Sequence, residues 1–151
     1  MDDLTAVDSL ADWSTWVPWS DAVGTASLRP GVYIARVGAD GDVVYVGMAG
    51  ERRGRGIRGR LTVYRRGKGA VSGLGEAAMD RALADPAWLR TRLAAVERGH
   101  PERTSAWATA ALERVDLHVR WAERDDRAQA LALEAAVLEA LVGSDLWNRR
   151  R

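Results

Sequence analysis

The stretch GVYIARVGADGDVVYVG, from Gly31 to Gly47, decides how the rest of the chain is read. Two runs rich in β-branched and aromatic residues flank Gly38, Ala39, Asp40, Gly41 and Asp42. Such runs suit a pleated, half-buried surface, and a Gly/Asp turn allows the chain to reverse, so the segment reads as a β-hairpin. Pro30 marks its opening. One strand carries Tyr33 and the other Tyr45. A tight hairpin keeps the two within a few residues of direct opposition, but the register that would put them on one face is left open.

Downstream, MAGERRGRG (48–56) lacks periodicity and reads as a flexible basic loop. IRGRLTVYRR (57–66) places Ile57, Leu61 and Tyr64 at helical spacing, although Gly59 lowers helix propensity. On that helix Arg60 and Tyr64, four residues apart, share a face. Residues 76–98 carry Ala, Leu, Trp88 and Leu93 at helical intervals, broken at Asp85-Pro86 and stopped at Gly99-His100-Pro101. VDLHVRWA (115–122) alternates with period two and predicts a strand. ERDDR then caps the helix AQALALEAAVLEALV, which Gly143 ends.

Upstream, residues 1–25 form a Trp-rich extension expected to be helical, with Trp13, Trp16 and Trp19 three apart. In a chain without phenylalanine these rings are expected to fill a core rather than stack on bases or close over a site. The order of elements predicts an α/β protein of the α+β type: a small central three-stranded antiparallel sheet flanked by helices, in a single domain over 1–151.

The chain has 151 residues, a formal net charge of +1 and no cysteine, which excludes disulfides and thiolate metal sites. The acidic start Met1-Asp2-Asp3 is followed by no long apolar run, so neither a secretory signal nor a membrane span is expected, and the location expected is cytoplasmic. Charge is uneven. Arg52, Arg53, Arg55, Arg58, Arg60, Arg65, Arg66 and Lys68 crowd one segment, opposed there only by Glu51, and the chain closes on Arg149-Arg150-Arg151. Such a patch on a near-neutral protein suits a polyanion, and the guanidinium fork suits phosphate.

Tyr33, Tyr45 and Tyr64 are the only tyrosines. A phenol with an ordinary pKa near 10 is a poor base unless cations lower it. Glu134 stands among Ala130, Leu131, Val137 and Leu138, where a carboxylate needs a partner, a proton or a metal; Glu139 has similar neighbours. His100 and His118 lack a second ligand nearby and read as structural. Asp125-Asp126 reads as helix capping and first-turn charge, and Trp147 as packing.

Together the GVY…YVG hairpin, the RLTVY helix and the LEAAVL helix followed by Asn148 resemble the GIY-YIG nucleases. The resemblance covers residues 31–64 and resumes over 131–148, within a nuclease-like domain at 26–151. Gly31, Val32 and Tyr33 fill the first signature, and Tyr45, Val46 and Gly47 the second. Arg60 matches the arginine of the first helix, with Arg58 the competing choice, and Tyr64 stands where the family has histidine or tyrosine. Glu134 matches the metal-binding glutamate and Asn148 the asparagine beyond it. Met48 stands where some members carry a lysine.

The resemblance implies a three-stranded sheet and hydrolysis of phosphodiester bonds in DNA, with RNA as the other candidate substrate. Glu134 would hold Mg²⁺ or Mn²⁺, Arg60 would contact the scissile phosphate, Tyr33 or Tyr45 would be the base, and Tyr64 would orient phosphate or water. Arg52, Arg53, Arg55, Arg58, Arg65, Arg66 and Lys68 would bind the backbone. The alternative is a catalytically silent nucleic-acid-binding module of the same fold.

Overall fold

A computed structural model describes residues 3–149, so Met1, Asp2 and the closing Arg150 and Arg151 lie outside the described residues. The elements in chain order are α1 (Thr5–Asp8), β1 (Val17–Pro18), α2 (Trp19–Thr25), β2 (Gly31–Val37), β3 (Val43–Ala49), α3 (Gly56–Arg65), α4 (Gly73–Leu83), α5 (Pro86–Glu97), α6 (Thr104–Glu113), β4 (Leu117–Glu123) and α7 (Arg127–Ala140). The fold is therefore α+β: among the described residues, seven helices and one antiparallel sheet. No helix among them is long and apolar enough to cross a membrane.

The sheet has four strands, in the order β1-β4-β2-β3, where three were expected. The extra strand is the pair Val17–Pro18, which aligns with Val119 and His118 at the outer side of β4. A proline is tolerated there because an edge strand needs no second ladder of amides. The Trp-rich extension is helical only in α1 and α2. Trp13 and Trp16 lie between them in non-helical chain.

The chain divides into two compact units, Met1–Thr62 with Asp116–Arg151, and Val63–Val115. In the first, alternation along the strands sorts side chains to opposite faces. Val32, Ile34, Val46 and Ala122 form one core with Leu133 and Val137 of α7, with Leu141 at its C-cap, and with Val7 of α1. Asp126 caps α7, accepting from the Gln129 amide at 2.8 Å, as the ERDDR run suggested. Trp13 and Trp16 pack at the margin of this core. Trp13 donates through Nε1 to the Val7 carbonyl at 2.9 Å. Two guanidiniums lie over the Trp16 ring, Arg36 at 4.0 Å and Arg120 at 4.8 Å from its centre. Arg120 is buried and anchored to Asp8 at 2.5 Å. Burial holds the Arg36 guanidinium below the usual arginine range, with Asp40 opposing that shift and Arg120 adding to it. The tryptophan faces are thus occupied by arginine, which suits the packing role expected of them.

The second unit is helical. α4 packs with α5 and α6, and Trp88 meets Trp107 edge-on at 5.4 Å. The break at Asp85-Pro86 is a capped start: Asp85 accepts from the Ala87 and Trp88 amides, and Pro86 occupies the first helical position, where no amide donor is needed. α6 has no such signal, since Arg103 at its cap position makes no side-chain capping bond.

Asp85 also receives Arg114 Nε at 2.8 Å. That bond, helped by the two amides and opposed by desolvation, holds its carboxyl below the usual carboxylate range. A carboxylate depressed on folding stabilises above its unfolded pKa, and the contribution is lost as pH falls through the folded value. Asp85→Asn should therefore destabilise the fold at neutral pH and progressively less below the usual aspartate range. Urea denaturation across that range checks this, and a pH-independent difference would contradict it.

Candidate active site

The register answers the question that the hairpin raised. Tyr33 stands opposite Gly47, and Ala35 opposite Tyr45, so the two tyrosines are diagonal neighbours on one face. Their rings stack, with centroids 6.2 Å apart and planes 27° from parallel. Both are buried. The Tyr33 ring lies on Gly47: a Cβ there would sit 2.3 Å from both Cζ and the hydroxyl oxygen. On the other flank Tyr33 pairs in register with Trp121 of β4, which makes Trp121 a third aromatic in this part of the face. The strand reading of 115–122 covered Trp121, but its place beside Tyr33 depends on long-range pairing.

α3 approaches this same face. A Cβ on Gly31 would lie 2.9 Å from Ile57 Cδ1. Ile57 and Leu61 are fully buried, and Arg60, three residues after Ile57, is half-buried beside that stripe. The competing Arg58 has a structural contact: its Nε donates to the Ala26 carbonyl at 2.8 Å. Tyr64, one turn after Arg60, belongs to the other compact unit. It is fully buried there, and its hydroxyl oxygen accepts from the Leu74 amide at 3.2 Å.

Asn148 works from the open side of β3. Its Oδ1 accepts from the Val46 amide at 2.9 Å and its Nδ2 donates to the Val46 carbonyl at 2.7 Å. The Trp147 amide donates to Val44 at 2.6 Å. Unpaired amides and carbonyls at an edge strand are thereby satisfied, and the backbone between Tyr45 and Gly47 is fixed from outside.

Glu134 lies on α7, the helix that seals the opposite face through Leu133 and Val137. It is half-buried at the margin of the apolar stripe, with Ala130 and Val137 buried and Leu131 exposed, whereas Glu139 is exposed. Burial thus separates two glutamates that local sequence did not. Among the described residues no three histidine, aspartate or glutamate side chains come together as a cation site. A single carboxylate fits a hard cation that keeps most of its waters, and does not fit a closed tetrahedral site. His118 faces Asp116 at 3.2 Å. Asp125 pairs with Arg29 at 2.5 Å.

The basic loop is not uniform. Arg52, Arg53 and Arg55 are exposed, as are Arg65, Arg66 and Lys68, while Arg58 is half-buried. Arg52 and Arg53 have φ of 46° and 56°, followed by Gly54 at 83°. Left-handed backbone costs a residue with a Cβ roughly 1–2 kcal/mol. Glu51 holds this turn, its carbonyl accepting from the amides of Gly54 at 2.9 Å and Gly56 at 3.1 Å.

No protein-family profile matches this chain, and neither a curated protein nor a solved structure does.

The contact between Tyr33 and Gly47 has a measurable signature. Gly47→Ala should destabilise the fold by about 1–3 kcal/mol, the usual range for overpacking. Tyr33→Ala removes the obstructing ring. In a double-mutant cycle by urea denaturation, Gly47→Ala should then cost less in the Tyr33→Ala background than in the wild type. Additive effects would contradict the packing described.

Proposed function

We propose that this chain is a metal-dependent endonuclease of the GIY-YIG kind, hydrolysing phosphodiester bonds in DNA. The observation that carries the reading is the stacked pair Tyr33–Tyr45, on the sheet face that also receives α3 with its half-buried Arg60. Two phenols and a guanidinium supply a proton acceptor and a phosphate ligand, two of the groups that phosphodiester hydrolysis needs.

In this scheme Tyr33 or Tyr45 accepts the proton of the attacking water. A buried phenol ionises only beside a cation, which Arg60 would provide while it neutralises charge building on the scissile phosphate. Glu134 would hold Mg²⁺ or Mn²⁺, which when bound would polarise a phosphate oxygen and acidify water; from α7, behind the tyrosine face, it would do so only around a strand edge or end. Tyr64 is fully buried with its hydroxyl oxygen accepting from the Leu74 amide, and no step is routed through it. The exposed Arg52, Arg53, Arg55, Arg65, Arg66 and Lys68 would track the nucleic-acid backbone, adding affinity that falls steeply with salt and carries no sequence information. Arg58, held on Ala26, contributes charge more than contact.

Supercoiled plasmid incubated with Mg²⁺ or Mn²⁺ tests the proposal. The wild type should nick it, chelation should stop nicking, and Glu134→Ala should abolish it. Of Tyr33→Phe and Tyr45→Phe, the one that removes the base should lower the rate by about 10²–10⁴-fold. Binding without nicking under either ion would favour a silent nucleic-acid-binding module. Failure to bind DNA at low salt would exclude both.

A further inference from the structure

Glu51 is the only acid within the run from Gly50 to Lys68, yet its carboxylate does not neutralise the arginines around it. Its Oε1 accepts from the Arg127 amide at 3.0 Å, at the start of α7. Among the described residues no carboxylate pairs with Arg52, Arg53 or Arg55. The loop is therefore a cluster of uncompensated cations, held by the same residue that would otherwise have balanced it.

The left-handed turn decides where those cations go. On α3, a Cβ at Gly59 would lie 2.7 Å from Arg55 Cβ, 3.4 Å from Arg52 Nε and 3.7 Å from Arg52 Cδ. Gly59 is thus the bed on which Arg52 and Arg55 lie, one residue before Arg60. The three atoms nearest that position belong to Arg55 and Arg52 and none to Arg53, which is also left-handed at φ 56°. A chain selected only for stability would place glycine or asparagine at these two left-handed positions. Strained backbone persists where surrounding structure enforces it and is concentrated at functional sites.

We propose that Arg52, laid across Gly59 by the strained turn and supported by Arg55, binds a backbone phosphate next to the one that Arg60 contacts. The ligand class is a nucleic-acid phosphodiester. The inference rests on the endonuclease reading for its substrate, but concerns binding alone and needs no cleavage. Arg52 differs in this from the other exposed cations of the loop, which contribute diffusely. The backbone strain is retained because it delivers one particular guanidinium to α3.

The test is anisotropy of a short fluorescein-labelled DNA duplex, without divalent ions, across a salt series. Wild type, Arg52→Gly and Arg53→Gly are compared, with urea denaturation of each. Both variants relieve a left-handed residue, so neither should be less stable than wild type. Only Arg52→Gly should lose a fixed phosphate contact, weakening binding by about tenfold at low salt and reducing the slope of log K against log salt by about one. Arg53→Gly should lose less on both counts. Gly59→Ala should mimic Arg52→Gly in binding, although it removes no charge. Equal losses for the two loop variants, or none for Arg52→Gly, would overturn the inference while leaving the endonuclease reading intact. A wild type that binds no DNA at low salt would overturn both.

Discussion

The close seating of the Tyr33 ring on Gly47 is the constraint from which the rest of the proposed site follows. A ring can cover its cross-strand neighbour this tightly only where that neighbour has no side chain, and a Cβ 2.3 Å from the hydroxyl is not tolerated. The seating leaves Tyr45, two residues earlier on β3, free to stack against the same ring. It also explains why Asn148 matters from the opposite side. Asn148 holds the Val46 amide and carbonyl at the outer edge of β3, while the Tyr33 ring covers the next residue, Gly47.

Division of labour between the sheet faces follows from strand alternation. Even-numbered positions of β2, Val32 and Ile34, go into a core closed by α7, and odd-numbered Gly31 and Tyr33 go to the face that α3 approaches. α3, which carries Arg60, meets the tyrosine face through Ile57, whereas Glu134 belongs to the helix behind the sheet. A carboxylate behind the sheet would serve the tyrosine face only by reaching past a strand edge or a strand end. The arginine turn, by contrast, is tied to both sides, through Glu51 to α7 and through Gly59 to α3.

Some of this was legible in the residues because the signals are local. The hairpin rests on β-branched runs around a Gly/Asp turn. α7 rests on Asp126 as its cap, and the α4–α5 break on Asp85-Pro86. What was not legible depends on partners distant in sequence. β1 is two residues, one a proline, and becomes a strand only because β4 lies beside it. The shared face of Tyr33 and Tyr45 depends on a register that slips by one residue at the irregularity between Ala35 and Arg36. The bond of Arg58 to the Ala26 carbonyl joins residues more than thirty apart, so the helix pattern alone does not announce it. Tyr64 reads as the third phenol of a site, but its oxygen takes an amide ten residues on.

The central claim is that the tyrosine face is where a phosphodiester is cleaved. A crystal structure of Glu134→Gln, a variant expected to bind without cutting, with a DNA duplex tests this most directly. A backbone phosphate is expected against Arg60, with the Tyr33 or Tyr45 hydroxyl within hydrogen-bond reach, directly or through one water. A duplex bound elsewhere, with both hydroxyls remote from any phosphate, would contradict it.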